Sequence, residues 1–513
     1  MLILTGLMLL GIYGCRISSR PPKWEEPRRS LVAMEMIHRQ DYIVPRVMGE
    51  LYLSKPPLHS WLIALVAGAE VQRVTPLRAR LVTLAALVGI GLFLWRLGID
   101  GKRETPHLLP ALIFLTTGTI VQFGRTGEID VLFCFFVTAA LGCFELGRRR
   151  GSSFLQWFVP QLFVAAGVLT KGLAPIFFYP PVLLWAWLYR RDSRFSGPAF
   201  TAGLLVMLGL VAAWLVPYAQ RAPLGELQGK WASEVRLLTL DEGWLAALLH
   251  ALLYPFLLVG VALPWSLRLF ALRHREARRE AMRCLRQDPY LGLATAVVGW
   301  GVLVYLFVPG TDGRYLIPFL PFSAVLIARA LRPGGGEQRA EVLERGGRHW
   351  WFWALLALLL VGYALVAGST LPGGAVWGSI LLGLSLIAAF AYAWDTRRLA
   401  GRIPVLLLLG LIYGVAFVGI ADPRRAAKDM RLVDTARELA TRITAPRPVV
   451  CDCGHGRSHQ LAFALSRHLG RPVQRRPPAE DGYYWVAPGG AQAPPGSTLL
   501  GISWQFSIWE VTP

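Results

Sequence analysis

Residues Trp24–Trp61 read WEEPRRSLVAMEMIHRQDYIVPRVMGELYLSKPPLHSW. The stretch is too charged to cross a bilayer, yet it lies between two hydrophobic segments, so it reads as a surface loop that carries chemistry. It opens on adjacent carboxylates, Glu25 and Glu26, followed by Pro27 and a helix-compatible run from Arg28 to Gln40. Proline is tolerated in the first helical turn because its missing N–H would be unpaired there anyway. The carboxylates thus sit at a helix start, where the dipole favours their ionised form. At 100° per residue, Arg28, Glu35 and Arg39 share one narrow polar stripe, while Leu31, Val32, Ala33, Met34, Met36 and Ile37 occupy most of the rest. That pattern predicts a helix lying in the membrane interface. Beyond it, Tyr52, Lys55, Pro56 and Pro57 bring a cation back just before the chain turns apolar.

The surrounding composition sets the class. Of 513 residues, 54% are hydrophobic and 17% charged, an apolar share well above that of a soluble domain, which makes the chain a polytopic membrane protein. The net charge of +21, from 53 basic and 32 acidic residues, concentrates in short loops between apolar segments. It therefore reads as topology determinants and contacts with anionic lipid, not as a nucleic-acid surface. Six cysteines follow no disulfide-framework spacing; Cys134 and Cys143 read as small hydrophobes. Cys451 and Cys453 with His455 and His459 match no strong zinc spacing.

Met1 to Gly14 is apolar and, as a helix, about 21 Å long; without a basic n-region or an A-x-A-like cleavage site it reads as the first transmembrane helix. Further spans are expected near 77–97, 108–123, 129–147, 153–170, 172–189, 197–217, 246–271, 290–309, 316–332, 350–368, 375–394 and 404–421, about thirteen in all. Alternate loops differ in charge. One set holds Lys102-Arg103, Arg148 to Arg150, Arg190-Arg191 with Arg194, the run Arg273 to Arg286, and Arg397-Arg398 with Arg402. The other holds the Trp24 loop, Gly124 to Glu128, the Lys171 corner, Gln220 to Gly243, Gly310 to Arg314 and Gly368 to Gly374. The first set is the more basic for its length and is cytoplasmic by the positive-inside rule, which leaves the second on the external face. The run ADPRRAAKDM, Ala421 to Met430, ends the membrane part, because its charge density is not carried through hydrocarbon. Residues 1–421, with a first external loop at 15–76, form the transmembrane domain, and residues 422–513 a small extracytoplasmic α/β domain. Within it, Asp429 to Ile443 and Ser458 to Leu469 read as helices; Pro448 to Cys451, Tyr483 to Ala487 and Leu499 to Val511 read as strands.

Three groups of residues have the chemistry of a transfer site. Glu25 and Glu26 are candidate general bases, since a carboxylate held near an acceptor hydroxyl or amine removes its proton as the new bond forms; solvated capping of an interfacial helix is the plainer reading. Glu128 and Asp130 in GRTGEIDVLF form a second acidic point, and Asp130, just ahead of VLFCFF, falls inside the membrane boundary, where acids are costly. Pairing of that acid with Arg125 for packing is the alternative. Arg28, Lys55, Lys171, and Arg314 with Tyr315 in GTDGRYLIP all fall at external span ends or in the first loop, cations suited to grip a phosphate. Singly, each is equally a snorkelling anchor. His38, His59 and His250 read as interfacial or packing residues. The glycine run at 334–336 lacks the setting of a phosphate loop.

The order WEEPRRxLVAxEM, DYxVPR, SKPPLxxWL, GRTGEID, TKG and GRYLIP resembles membrane glycosyltransferases of the protein mannosyltransferase and aminoarabinose transferase kind, which have the GT-C fold. The resemblance runs over the whole chain, and the Trp24–Trp61 loop is its specific part. It implies inverting transfer of a sugar from a polyprenyl-phosphate carrier to a lipid, glycan or protein acceptor outside the cytoplasmic membrane. It puts the catalytic acid on Glu25 or its neighbour Glu26, where the family usually has Asp-Glu, and the second acid on Asp130. The family's arginine falls on Arg28 and its lysine before the proline pair on Lys55. The aminoarabinose branch commonly has an acid before that lysine; here it is Ser54. The carrier supplies an activated bond, so no nucleotide or soluble cofactor is needed, and the residues do not decide for or against a divalent metal. A transporter or flippase with an intramembrane charged pathway is the competing reading, although no internal repeat is visible.

Overall fold

In the computed structural model, residues 2–15, 17–98, 107–190, 197–236, 244–266, 275–308, 311–330, 422–452, 458–477 and 482–512, with 272 and 414, are described. The spans expected at 350–368, 375–394 and 404–421 lie outside the described residues. The helices up to residue 330 are α1 (Leu2–Gly14), α2 (Glu26–Arg39), α3 (Leu58–Val66), α4 (Pro76–Gly98), α5 (Leu109–Leu115), α6 (Gly118–Phe123), α7 (Ile129–Arg150), α8 (Val159–Lys171), α9 (Tyr179–Arg190), α10 (Pro198–Arg221), α11 (Leu224–Arg236), α12 (Trp244–Val261), α13 (Arg275–Gln287), α14 (Pro289–Leu306) and α15 (Leu320–Ala330), among the described residues.

Among the described residues, α4, α7, α10 and α14 are long and apolar enough to cross a membrane. The central one is α7, whose apolar window is 94% buried, against 17% for α10. It packs on α4 and α8, and Gly142 sits so close to Phe93 that a Cβ there would meet the ring. By contrast, α10 and α12 expose Leu205, Leu208, Leu210, Val216, Leu248, Leu252, Leu253 and Phe256. An apolar belt of that extent is at home against acyl chains, not water.

Several expected spans are interrupted. The one at 108–123 breaks between α5 and α6, because the hydroxyls of Thr116 and Thr117 donate back to the carbonyls of Leu112 and Ile113 and Gly118 N–H donates to Leu263 O instead of its own helix. A π-helical turn, Phe154–Phe158, precedes α8, and 3₁₀ turns, Ala174–Phe178 and Gly313–Phe319, precede α9 and α15. Apolar composition fixes that a segment is buried in hydrocarbon or protein; it says nothing of these breaks, which depend on partners far along the chain.

The helix predicted at α2 forms and is covered by protein. Its residues Leu31 to Ile37 are all buried by protein, with α3, α4 and a C-terminal helix packed around it. Its polar stripe faces a hairpin of β1 (Arg46–Val47) and β2 (Glu50–Leu51): Glu35 bonds Arg39 Nε at 2.7 Å and accepts Gly49 N–H at 2.9 Å. The hairpin turns through Met48 (φ 53°) and Gly49 (φ 83°), both positive, as a tight two-residue turn requires.

The C-terminal part carries α16 (Asp422–Thr441), α17 (Ser458–Leu469) and a four-stranded sheet of β3 (Val449–Cys451), β4 (Tyr483–Pro488), β5 (Ser497–Ser503) and β6 (Phe506–Val511) in the order β3-β4-β6-β5. The first pair is parallel and the rest antiparallel. The single strand expected over Leu499–Val511 is a hairpin instead, turning at Trp504, whose φ is 51°. Leu432, Ala436, Leu439, Leu461 and Leu465, spaced along one face of each helix, are buried and form its core.

Candidate active site

Glu25 and Glu26, alike in sequence, differ completely in setting. Glu26 is fully buried, and Arg80 of α4, equally buried, donates Nε to Oε1 at 2.7 Å and Nη2 to Oε2 at 3.0 Å. The remaining Arg80 donors go to the carbonyls of Ile17, Arg20 and Pro21, and Lys23 N–H donates to Glu26 at 3.1 Å. Every hydrogen-bonding edge of this pair is turned into the chain entering α2, so Glu26, offered above as a base, holds the loop against α4.

Glu25 occupies the N-cap of α2 with its side chain 29% exposed. Arg28 Nη1 donates to its Oε2 at 2.6 Å, and Arg29 Nη2 stands 3.9 Å from the same oxygen. The Glu25 backbone N–H donates to Glu128 Oε1 at 2.8 Å. Gly127 makes that approach possible: a Cβ there would lie 2.9 Å from Ala79 and 3.1 Å from Glu26. Upstream, Trp24 adopts φ 51° and stacks on Phe123 at 5.0 Å, and Arg20 Nη2 donates to Arg125 O at 2.6 Å. The Trp24 loop and the GRTGEID loop are thereby sewn together. Burial lifts the Glu128 carboxyl to about 8, against the pull of Arg29.

Asp130, in the first turn of α7, is buried and takes Lys171 Nζ at 2.5 Å. Arg125, the alternative partner, donates Nη2 to Cys15 O at 2.6 Å. Lys171 Nζ also lies 5.3 Å from the ring centroid of Tyr315, which in turn carries the Arg314 guanidinium at 5.4 Å. Asp130, Lys171, Arg314 and Tyr315 are therefore one cluster. Lys55 is half-buried at the turn into α3, three residues after Tyr52, whose ring lies under Arg29 at 5.3 Å.

Comparison with known proteins bears on the fold. Residues 54–216 match the dolichyl-phosphate-mannose-protein mannosyltransferase family. The undecaprenyl phosphate-alpha-4-amino-4-deoxy-L-arabinose arabinosyl transferase 1 of Sodalis glossinidius is 25% identical over 467 residues, covering 86% of this chain and 79% of the relative. Its Pseudomonas aeruginosa counterpart (strain UCBPP-PA14) is 28% identical over 324 residues, 60% of this chain and 55% of that protein. The crystal structure of ArnT from Cupriavidus metallidurans in the apo state superposes with a TM-score of 0.69 at 17% identity, over 99% of this chain and 97% of that one. The form bound to undecaprenyl phosphate gives 0.69 at 16%. The chain has the fold of ArnT and resembles these glycosyltransferases in sequence.

The site also holds residues to which the sequence reading gives no role in transfer. Arg29, beside Arg28, and Tyr52 are buried next to Glu25's loop, and His59, read as a packing residue, is 1% exposed. Burial and the neighbouring Arg29 hold the His59 imidazole neutral, at about 3. His459, considered above for a metal, is on α17, which packs against α2 and is tied there by Gln460 Nε2 donating to Pro22 O at 3.1 Å. Burial takes its imidazole down to about 4, with Arg28 adding to the effect. Cys451 is disulfide-bonded and so is not a thiolate ligand, while Cys453 and His455 lie outside the described residues. Among the described residues no group of three or more His, Cys, Asp or Glu side chains is placed to hold a metal ion.

Proposed function

We propose that this transferase moves a sugar from a polyprenyl-phosphate carrier to a lipid, glycan or protein acceptor at the external face of the cytoplasmic membrane, with inversion at the anomeric carbon. The observation that carries the reading is the placement of Glu25, a partly exposed carboxylate ion-paired at 2.6 Å and set within the same cluster of loops as the Asp130–Lys171 pair. Glu25 would take the acceptor's proton as the acceptor attacks the anomeric carbon. That attack breaks the bond to the carrier's phosphate, which leaves with one more negative charge. Arg28 and Lys55, with Lys171, Arg314 and Tyr315, would bind the phosphate and stabilise that charge; Asp130 keeps Lys171 in place and orients sugar or acceptor. The donor lipid is carried over from the relatives' names, which specify undecaprenyl phosphate. The chemistry needs no nucleotide, since the phosphodiester is already activated.

The external placement of the site rests on the charge difference between alternate loops across about thirteen spans. The disulfide at Cys451 supports it, since such bonds persist in oxidising compartments. On this reading residues 1–421 are the transmembrane catalytic domain and 422–513 an extracytoplasmic cover on the first loop. Mass spectrometry of envelope glycolipids and glycoproteins from cells with and without the gene is expected to show one sugar modification lost with it. An unchanged envelope, together with uptake of a solute by vesicles carrying the protein, would favour the transporter reading instead.

A further inference from the structure

Two arginines meet the Trp24–Trp61 loop, and they are treated in opposite ways. Arg80 spends its donors on Glu26 and three carbonyls. Arg29 is 5% exposed, yet among the described residues its Nε and Nη1 have no hydrogen-bond partner, and its Nη2 is 3.9 Å from Glu25, beyond hydrogen-bond distance. Two neighbours share the condition: the Tyr52 hydroxyl and both ring nitrogens of His59 are buried without a partner. Tyr52 carries the Arg29 guanidinium on its ring at 5.3 Å, and Ser60, next to His59, bonds Arg29 O at 3.4 Å, so the three side chains come from packed elements. Buried polar groups in folded proteins are nearly always satisfied, and a buried guanidinium without hydrogen bonds is costly. Five such atoms in one place point to a ligand.

The charges indicate its sign. Glu25 faces both Arg28 and Arg29, and burial keeps Glu128 largely protonated near neutral pH, since its carboxyl titrates at about 8. Arg29 also lies near Asp130, yet its Nε and Nη1 hydrogen-bond to none of these carboxylates and remain free to donate to an anion. The subsite has Glu25, the acceptor's base, on one side and the Tyr52–His59 segment that carries Lys55 on the other. Between base and carrier phosphate lies the transferred sugar.

We propose that Arg29, Tyr52 and His59 form a subsite for a carboxylate on the transferred sugar, so that the donor is a uronic-acid-type sugar and not the amino sugar named for the relatives. An ammonium group beside Arg29 would be repelled, whereas a carboxylate would accept from the guanidinium and the Tyr52 hydroxyl. His59, neutral, can donate from one ring nitrogen. This reading rests on the proposed use of a polyprenyl-phosphate donor.

The test is binding of four synthetic lipids to the detergent-solubilised full-length chain, followed by tryptophan fluorescence: decaprenyl phosphate, decaprenyl-phosphoryl glucuronate, decaprenyl-phosphoryl glucose and decaprenyl-phosphoryl 4-amino-4-deoxy-L-arabinose. The wild type is expected to bind the glucuronate lipid about tenfold more tightly than the glucose lipid, with the amino sugar weakest. Arg29→Gln is expected to bring the three sugar lipids within about twofold of one another and to leave decaprenyl phosphate unchanged. Tyr52→Phe, which keeps the ring under Arg29, is expected to lose part of the preference. A wild type that binds decaprenyl phosphate but does not prefer the acid overturns the subsite and spares the donor reading. So does an Arg29→Gln chain that loses affinity for decaprenyl phosphate and all sugar lipids alike, since Arg29 would then serve the carrier phosphate. Failure of decaprenyl phosphate to bind at all overturns both.

Discussion

Glu25, Glu26 and Glu128 lie within one bond network, and each has a different fate because of what surrounds it. Glu128 is the one whose ionisation the fold opposes: its carboxyl titrates at about 8, compared with an ordinary 4.5, chiefly through burial. Between those two values the folded protein holds a proton that the unfolded chain has released, so stability falls as pH rises through the window and levels off above it. Glu128→Gln removes that titration and keeps an oxygen for Glu25 N–H. Thermal scans of the solubilised chain are expected to show the melting temperature of the variant gaining on the wild type between pH 5 and pH 9. A constant difference across that range would mean that Glu128 is not titrating there. The sequence makes the acids visible but not their roles. Glu25 and Glu26 are equivalent candidates until Arg80, 54 positions later, is seen to close around the second. Arg29 is equally hidden: nothing in WEEPRR distinguishes a bonded arginine from one whose donors are unused.

At the scale of elements, the site depends on how the start of α2 is fastened to α4. The Glu26–Arg80 pair does this with both side chains fully buried, and breaking a buried pair from one side leaves the other charge uncompensated. Glu26→Gln is expected to lower stability by about 3–5 kcal/mol, and Glu26→Gln with Arg80→Met to recover part of the loss. Chemical denaturation of the two variants beside the wild type measures this; a double variant no better than the single one would show that the pair does more than neutralise itself. The long apolar helices α4, α7, α10 and α14 were legible from hydropathy, because twenty or so apolar residues have few other solutions in a bilayer. The breaks were not. Thr116 and Thr117 end α5 with bonds to their own helix, but what fixes the break is Leu263 and Trp265, whose indole donates to Thr116 at 2.9 Å. The cover over α2 is equally illegible, because nothing in its amphipathic pattern encodes that α17 packs on it.

For the molecule as a whole, α10 and α12 expose apolar faces, and the first loop, the start of α7, the end of α8 and the 3₁₀ turn before α15 meet at one lip. The C-terminal part closes over that loop through Arg475 N–H to Met48 O at 2.9 Å and through Arg475 and Arg476 to Glu50 at 3.1 and 2.9 Å. Exposed ion pairs of this kind contribute about 0–1 kcal/mol each, so α17 packed on α2 accounts for most of the docking. The existence of this part was readable from the charge density after Ala421 and from its alternating apolar pattern. Its seat was not, because no local signal encodes a contact between Gln460 and Pro22.

The central claim is that Glu25, and not Glu26, removes the acceptor's proton while the lip holds a lipid-borne sugar phosphate. It is tested most directly by single-turnover release of decaprenyl phosphate from a decaprenyl-phosphoryl sugar by the full-length chain in proteoliposomes, with the acceptor supplied by envelope lipid extract, comparing wild type and Glu25→Gln. The variant is expected to release it at a rate lower by about 10²–10⁴-fold, with donor affinity retained. Release at the wild-type rate from Glu25→Gln would contradict it.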